Sequence, residues 1–143
     1  MIAVKYPEPD FKTKVENGKR YIFDKIRKSW LLLTEEEWVR QNFVNYLVHV
    51  LNYPAAFIAL EKEIQLNDLK KRFDILIYDK DHQPWMMVEC KGADVPLSES
   101  VLQQVLRYNV SVPVKYLVIT NGEATVAWQR NGELILLNEI PGW

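Results

Sequence analysis

Asp74, Glu89 and Lys91 are the residues of this chain best suited to chemistry. Asp74 lies in Phe73-Asp74-Ile75-Leu76-Ile77-Tyr78, and Glu89 and Lys91 lie in Met86-Met87-Val88-Glu89-Cys90-Lys91. Both runs read as β-strands, short, apolar and bounded by turn residues. The polar segment between them, Asp79 to Pro84, reads as a hairpin loop. Side chains alternate along a strand, so Glu89 and Lys91 emerge on one face and Cys90 on the other. Two carboxylates and an ammonium inside apolar strands cost folding free energy unless they are paired or hold a metal. A metal-dependent active site is the simplest compensation. Hard divalent cations such as Mg2+, with Mn2+ as a substitute, take carboxylate, carbonyl and water oxygens. Asp74 and Glu89 supply carboxylates, and the backbone carbonyl of Cys90 can supply a further oxygen. Lys91 can orient or deprotonate an attacking water, or stabilise charge developing on a phosphate. Phosphodiester hydrolysis needs these parts. An acidic residue followed by Glu-x-Lys is common by chance; its placement on two predicted strands joined by a hairpin gives it weight. The bland alternative is an inert ion-pair cluster at a sheet edge.

Positioning such a cluster needs a folded scaffold. A chain of 143 residues is expected to form one domain with a proper core. We divide it into an N-terminal β-hairpin extension over 1–33, a core over 34–129 and a C-terminal strand and tail over 130–143. Its apolar runs are too short to span a membrane, and its N-terminus has no signal-peptide apolar core. The single cysteine, Cys90, excludes an intramolecular disulfide framework and a cysteine-rich zinc site. A soluble cytoplasmic protein is the expectation. The formal net charge of −1 supplies no overall field for nucleic acid. A local basic run, Lys70-Lys71-Arg72, stands just ahead of Asp74.

The element order follows from local signals. Asn17-Gly18 predicts a hairpin between Phe11 and Asp24. Trp30 to Leu33 is a short apolar run. Thr34 followed by Glu37 is a capping-box pattern, and the acidic Glu35 and Glu36 suit a helix N-terminus. Apolar residues from Trp38 to Leu51 then recur at helical spacing, with Pro54 beyond. A strand is expected over 57–66, with Asn67-Asp68 as a turn. Pro96-Leu97-Ser98-Glu99 opens a second helix, on which Gln104 and Tyr108 share a face. Val114 to Thr120 reads as a buried strand, and Asn131-Gly132 as the turn of a last hairpin. The result is an α/β arrangement, a mixed sheet flanked by helices. Glu61 and Glu63 alternate with apolar residues and are expected to face solvent. His49 and His82 carry no chemistry in this reading, and Cys90 is a buried structural cysteine. The tryptophans read as packing, although Trp85, placed in the turn by the site, is a base-stacking candidate.

Arg72 to Tyr78, Val88 to Lys91, Gln104 to Tyr108 and Thr120-Asn121-Gly122 occur here in one order. That order resembles the N-terminal nuclease domain of type I restriction enzyme R proteins, part of the PD-(D/E)xK nuclease superfamily. The resemblance spans roughly residues 34 to 129 and includes the helix with Glu36 to Gln41. It implies a restriction-endonuclease-like core, here with extra N- and C-terminal β-hairpins. It also implies metal-binding roles for Asp74 and Glu89, a catalytic lysine at Lys91, and a Gln-x-x-x-Tyr element at Gln104 and Tyr108 that positions the site and the nucleic acid. Arg72 and Arg107 would hold substrate. Some members add an acidic residue from the first helix, for which Glu37 is the candidate and Glu36 the next. Phe73 stands where the superfamily name has Pro. No Gly-x-x-x-x-Gly-Lys-Ser/Thr pattern occurs, so a translocase would come from elsewhere. The expected function is Mg2+-dependent DNA cleavage, by a homodimer or within a larger restriction-type complex. The alternative is a non-cleaving nucleic-acid-binding or assembly module that retains the fold.

Overall fold

Asn17-Gly18 turns the chain with both residues at positive φ, 53° and 75°, the backbone that a two-residue hairpin requires. It joins β1 (Thr13–Glu16) to β2 (Lys19–Asp24), and β3 (Ser29–Leu32) pairs antiparallel on the other side of β2. The expected hairpin therefore forms but grows into a three-stranded sheet. These features come from a computed structural model, which describes residues 1–66 and 68–143. Asn67, in the expected Asn67-Asp68 turn, lies outside the described residues.

Thr34 ends the small sheet and caps α1 (Glu35–His49), its hydroxyl accepting from the Glu37 amide at 3.0 Å. The reciprocal half of the capping box is replaced. The Glu37 carboxylate is taken up by Arg27, Arg40 and Gln41. After a short 3-10 turn, β4 (Ile58–Leu66) and β5 (Leu69–Tyr78) form a long antiparallel pair, followed by β6 (Pro84–Cys90). Helix α2 (Glu99–Asn109) is capped by Ser98 and crosses to β7 (Tyr116–Thr120), which runs parallel to β6. A parallel neighbour demands such a crossover, and a helix is the usual one. The strands β8 (Thr125–Asn131) and β9 (Glu133–Leu136) complete the order β4-β5-β6-β7-β8-β9. The C-terminal hairpin, β8–β9, is thus the edge of the main sheet.

The sheet separates two cores. On one face Val39, Phe43 and Leu47 of α1 pack on Ile75, Ile77, Val88 and Val118. On the other, Val105 of α2 packs with Leu76, Met87, Leu117 and Ile119. The chain ends join the first core: Ile2 donates its amide to the Thr125 carbonyl at 2.8 Å, and Trp143 donates to the Tyr78 carbonyl at 2.9 Å.

One irregularity matters for the site. Leu60 and Ile75 belong to the α1-side core, whereas Phe73 belongs to the α2-side core and Ile64 packs against it. Strict alternation would put Phe73 with Ile75, and Ile64 with Leu60. Both strands therefore change face between these positions. The pairings Leu60↔Ile75 and Lys62↔Phe73 keep one register across the step. The step contains Glu61, whose φ is +52°, and Asp74 opposite it. Such backbone at a non-glycine residue within a strand costs on the order of 1–3 kcal/mol, and persists only where the surroundings hold it.

Candidate active site

Asp74 and Glu89 meet because β5 and β6 pair antiparallel with Ile75 opposite Val88; the next step of that register sets Asp74 across from Glu89. There the ladder gives way to the side chain, and the Cys90 amide donates to Asp74 Oδ2 at 2.8 Å. Burial pushes the Glu89 carboxyl up to about 8. The Asp74 charge and the hydrogen bond that protonated Glu89 donates to the Asp74 carboxylate add to this, and Lys91 and Lys71 offset only part. Lys91 is anchored by its amide, which donates to the Thr120 carbonyl of β7 at 2.9 Å. Glu89, Lys91 and Glu36 line a cleft of about 590 Å³ with Gln104, Tyr108 and Asn109 of α2. As expected from alternation, Cys90 points the other way into the α1-side core, where burial raises its thiol well above its usual range.

The α1 side of Asp74 is organised by Arg40. This residue is buried, with 5% of its side chain exposed. Its Nη2 lies 3.0 Å from Glu36, 2.7 Å from Glu61 and 3.3 Å from Asp74 Oδ1, and its Nη1 lies 2.8 Å from Glu37. Burial alone would lower the Arg40 pKa, but the charges of Glu37, Asp74 and Glu61 more than offset that. Arg27 completes the arrangement, holding both oxygens of Glu37 at 2.9 and 3.0 Å and pairing with the buried Asp24. Arg72, mostly exposed, meets Glu61 from outside at 3.1 Å.

The sequence candidates fall into place unevenly. Glu89, Lys91, Gln104 and Tyr108 share the cleft. Lys71, also buried, donates to the Tyr108 carbonyl and lies 3.6 Å from the centroid of its ring, which is itself 70% exposed. Arg107 is exposed on α2 and is not part of the cleft lining. Glu37 is directed into the Arg27 and Arg40 guanidinia; of the two acidic candidates on α1, Glu36 is the one that reaches Asp74.

Two expectations are corrected. Glu61 does not simply face solvent: the face change at its positive φ lets it pair with Arg40. Trp85 is not beside the site but at the far end of β6, packed on Tyr53 and Tyr116 with ring centroids 5.9 and 5.0 Å away.

Sequence reading also missed residues. Arg40 had a weak signal, an arginine among the apolar positions of α1, three and four residues after the acidic pair. Gly92 had none: a Cβ there would come within 3.1 Å of the Glu35 Cβ, so this position lets the chain after Lys91 pass close to α1. The donors that Asp74 and Glu89 offer are all oxygen, and Lys91 and Lys71 offset only part of what raises the Glu89 carboxyl. That fits a hard divalent cation.

A mixed α/β sheet that carries paired carboxylates on β5 and β6 and a lysine just beyond β6, between two helices, defines a class of domain built around a polar cleft. The sequence places this chain within a family. It matches the family described as Type I restriction enzyme R protein N terminus (HSDR_N) over residues 35–141, and it belongs to that family. A comparison with curated proteins finds no match. No helix among the described residues is long and apolar enough to cross a membrane.

Proposed function

We infer that this chain is an endonuclease domain that hydrolyses DNA phosphodiester bonds with Mg2+ as cofactor. The observation that carries the reading is that Glu89 and Lys91 line one cleft while Asp74, on the paired strand, acts directly on the Glu89 carboxyl, in a chain of the restriction R-protein family. Asp74, Glu89 and the Cys90 carbonyl would hold the ion, and Mn2+ would replace it. When bound, the metal supplies Lewis-acid polarisation of the phosphoryl oxygen and a more acidic water. Lys91 orients that water, accepts or shares its proton, and stabilises the developing oxyanion. Gln104 and Tyr108 line the same cleft and position the strand. Arg72 and Arg107, both exposed, contact flanking phosphates, which requires Arg72 to exchange Glu61 for a phosphate oxygen. Cutting both strands takes two such sites, so a second copy of the chain or a larger restriction-type complex with its own translocase belongs to this reading.

The test is cleavage of plasmid and single-stranded DNA in Mg2+ or Mn2+ by wild type and Lys91→Ala, with ion binding followed by calorimetry. Lys91→Ala should lose roughly 10²- to 10⁴-fold in rate while keeping its ion. Ion binding without cleavage, removed by Asp74→Ala, would instead favour a non-cleaving DNA-binding or assembly module. The near-neutral net charge of −1 is the observation on that side. Neither cleavage nor ion binding would leave a structural ion-pair cluster.

A further inference from the structure

Oxygens of Glu36, Glu61 and Asp74 lie within 4.8 Å of one another. Such a cluster of hard donors has the dimensions of a divalent-cation site, and Asp74 would be its bridge to Glu89. The Arg40 guanidinium already fills it. One nitrogen, Nη2, lies at 2.7 to 3.3 Å from all three carboxylates. That nitrogen carries two hydrogens and faces three acceptors, so it serves the group as a centre of charge more than as a set of matched hydrogen bonds. The Arg40 Nε is buried with no partner. The side chain thus leaves one donor unsatisfied while placing its terminal nitrogen among the carboxylates, at a cost expected only where the placement matters. The strained backbone of Glu61, φ +52°, turns that carboxylate toward the same point.

We propose that Arg40 stands in for a second metal ion: its guanidinium occupies the carboxylate cage on the α1 side of Asp74, so that the site takes a single divalent cation, on the Glu89 side. This inference rests on the reading of Asp74 and Glu89 as metal ligands. Arg40 is then a positioning residue. It commits Asp74 Oδ1 to a fixed cation and holds the carboxylate in the orientation in which Oδ2 accepts from the Cys90 amide. An arginine does not lose its proton in a protein, so the count of mobile cations does not change with pH or with metal supply.

Mn2+ is the probe, counted per chain by calorimetry and examined by electron paramagnetic resonance, which detects two manganese ions sharing a carboxylate through their spin coupling. Wild type should bind one ion with an uncoupled signal. Arg40→Met, similar in length and uncharged, should bind two, with a coupled spectrum; adding Glu36→Gln to Arg40→Met should return the count to one. Should Arg40→Met fail to fold, as circular dichroism would show, Glu36→Gln and Glu61→Gln in the wild-type background decide the matter. Each should leave the count at one, because neither residue is a ligand. Two ions in wild type, loss of an ion in Glu61→Gln or Glu36→Gln, or a folded Arg40→Met that still binds one would each overturn the proposal alone. No ion in wild type would sink the metal-site reading itself, and this inference with it.

Discussion

On the α1 side of Asp74, Arg40 lies within 3.3 Å of Glu36, Glu37, Glu61 and Asp74, and Arg27 takes both oxygens of Glu37. On the other side, Glu89 faces Asp74 with Lys91 and Lys71 close enough to act on its charge but not to balance it, and its carboxyl is pushed up to about 8. The same aspartate therefore joins a region where buried charge is answered by fixed guanidinia to one where it is left partly unanswered. Buried ions without close partners are expensive. A structural cluster would be expected to look like the first region throughout. The second has the electrostatics of a site kept ready for a cation that comes and goes.

If this contrast is sound, its pivot should be the most sensitive position. Asp74→Ala removes the carboxylate that both pairs with Arg40 and acts on Glu89. Cleavage should fall on the order of 10⁴-fold, the size of loss seen when one member of a unit that acts together is removed, and ion binding should vanish. Folding should suffer less, because Arg40 keeps Glu36, Glu37 and Glu61. An Asp74→Ala protein that still cleaves would break the comparison at its centre.

A smaller effect separates the regions. Glu37→Gln leaves Arg27 and Arg40 without a shared buried counter-ion. Breaking a buried pair from one side costs about 3–5 kcal/mol, and the partial exposure of Arg27 puts the expected loss near the lower end of that range. The urea midpoint should fall accordingly, with Mn2+ affinity unchanged. A large loss of ion affinity with little loss of stability would mean that Glu37 belongs to the metal side, as the sequence first suggested.

That reversal between Glu37 and Glu36 shows where sequence reading reaches and where it stops. The turns at Asn17-Gly18 and Asn131-Gly132, the Thr34 cap and the opposed faces of Glu89 and Cys90 were legible because each depends on residues a few positions apart. So was the family pattern, because Asp74, Glu89 and Lys91 lie on one hairpin. The Arg40 cage was not, because it joins α1 to β4 and β5, and whether Glu36 or Glu37 turns toward Asp74 depends on how the helix is rotated against the sheet. Glu61 was misread because alternation was assumed to continue through β4. A positive φ at a glutamate has no signature in residue type, unlike the same backbone at Gly122 or Gly132. Trp85 was misplaced for a simpler reason: β6 begins at Pro84, so a residue read as part of the loop is the second of the strand, four positions from Glu89.

The finest test of the contrast is the sign of a pH effect in metal-free protein. Glu89 is raised in the folded state to about 8 from an ordinary value of 4.5. Between those values the folded protein holds a proton that the unfolded chain has lost, so the contribution of Glu89 to stability falls as pH rises. It is fully present below 4.5 and is gone once pH has passed through 8. The melting temperature of metal-free wild type, relative to Glu89→Gln, should therefore decline between pH 6 and pH 9, because the glutamine does not titrate. Mg2+ should flatten the decline in wild type by stabilising the ionised pair, and should do nothing for the variant. Glu37→Gln keeps Glu89 and its ion affinity, so its own decline with pH, and the flattening of that decline by Mg2+, should match those of wild type. If the difference between wild type and Glu89→Gln instead stayed flat from pH 6 to pH 9, Glu89 would already be ionised and well partnered in the metal-free fold. The two sides of Asp74 would then be alike, and the argument for a cation on the Glu89 side would lose its electrostatic support.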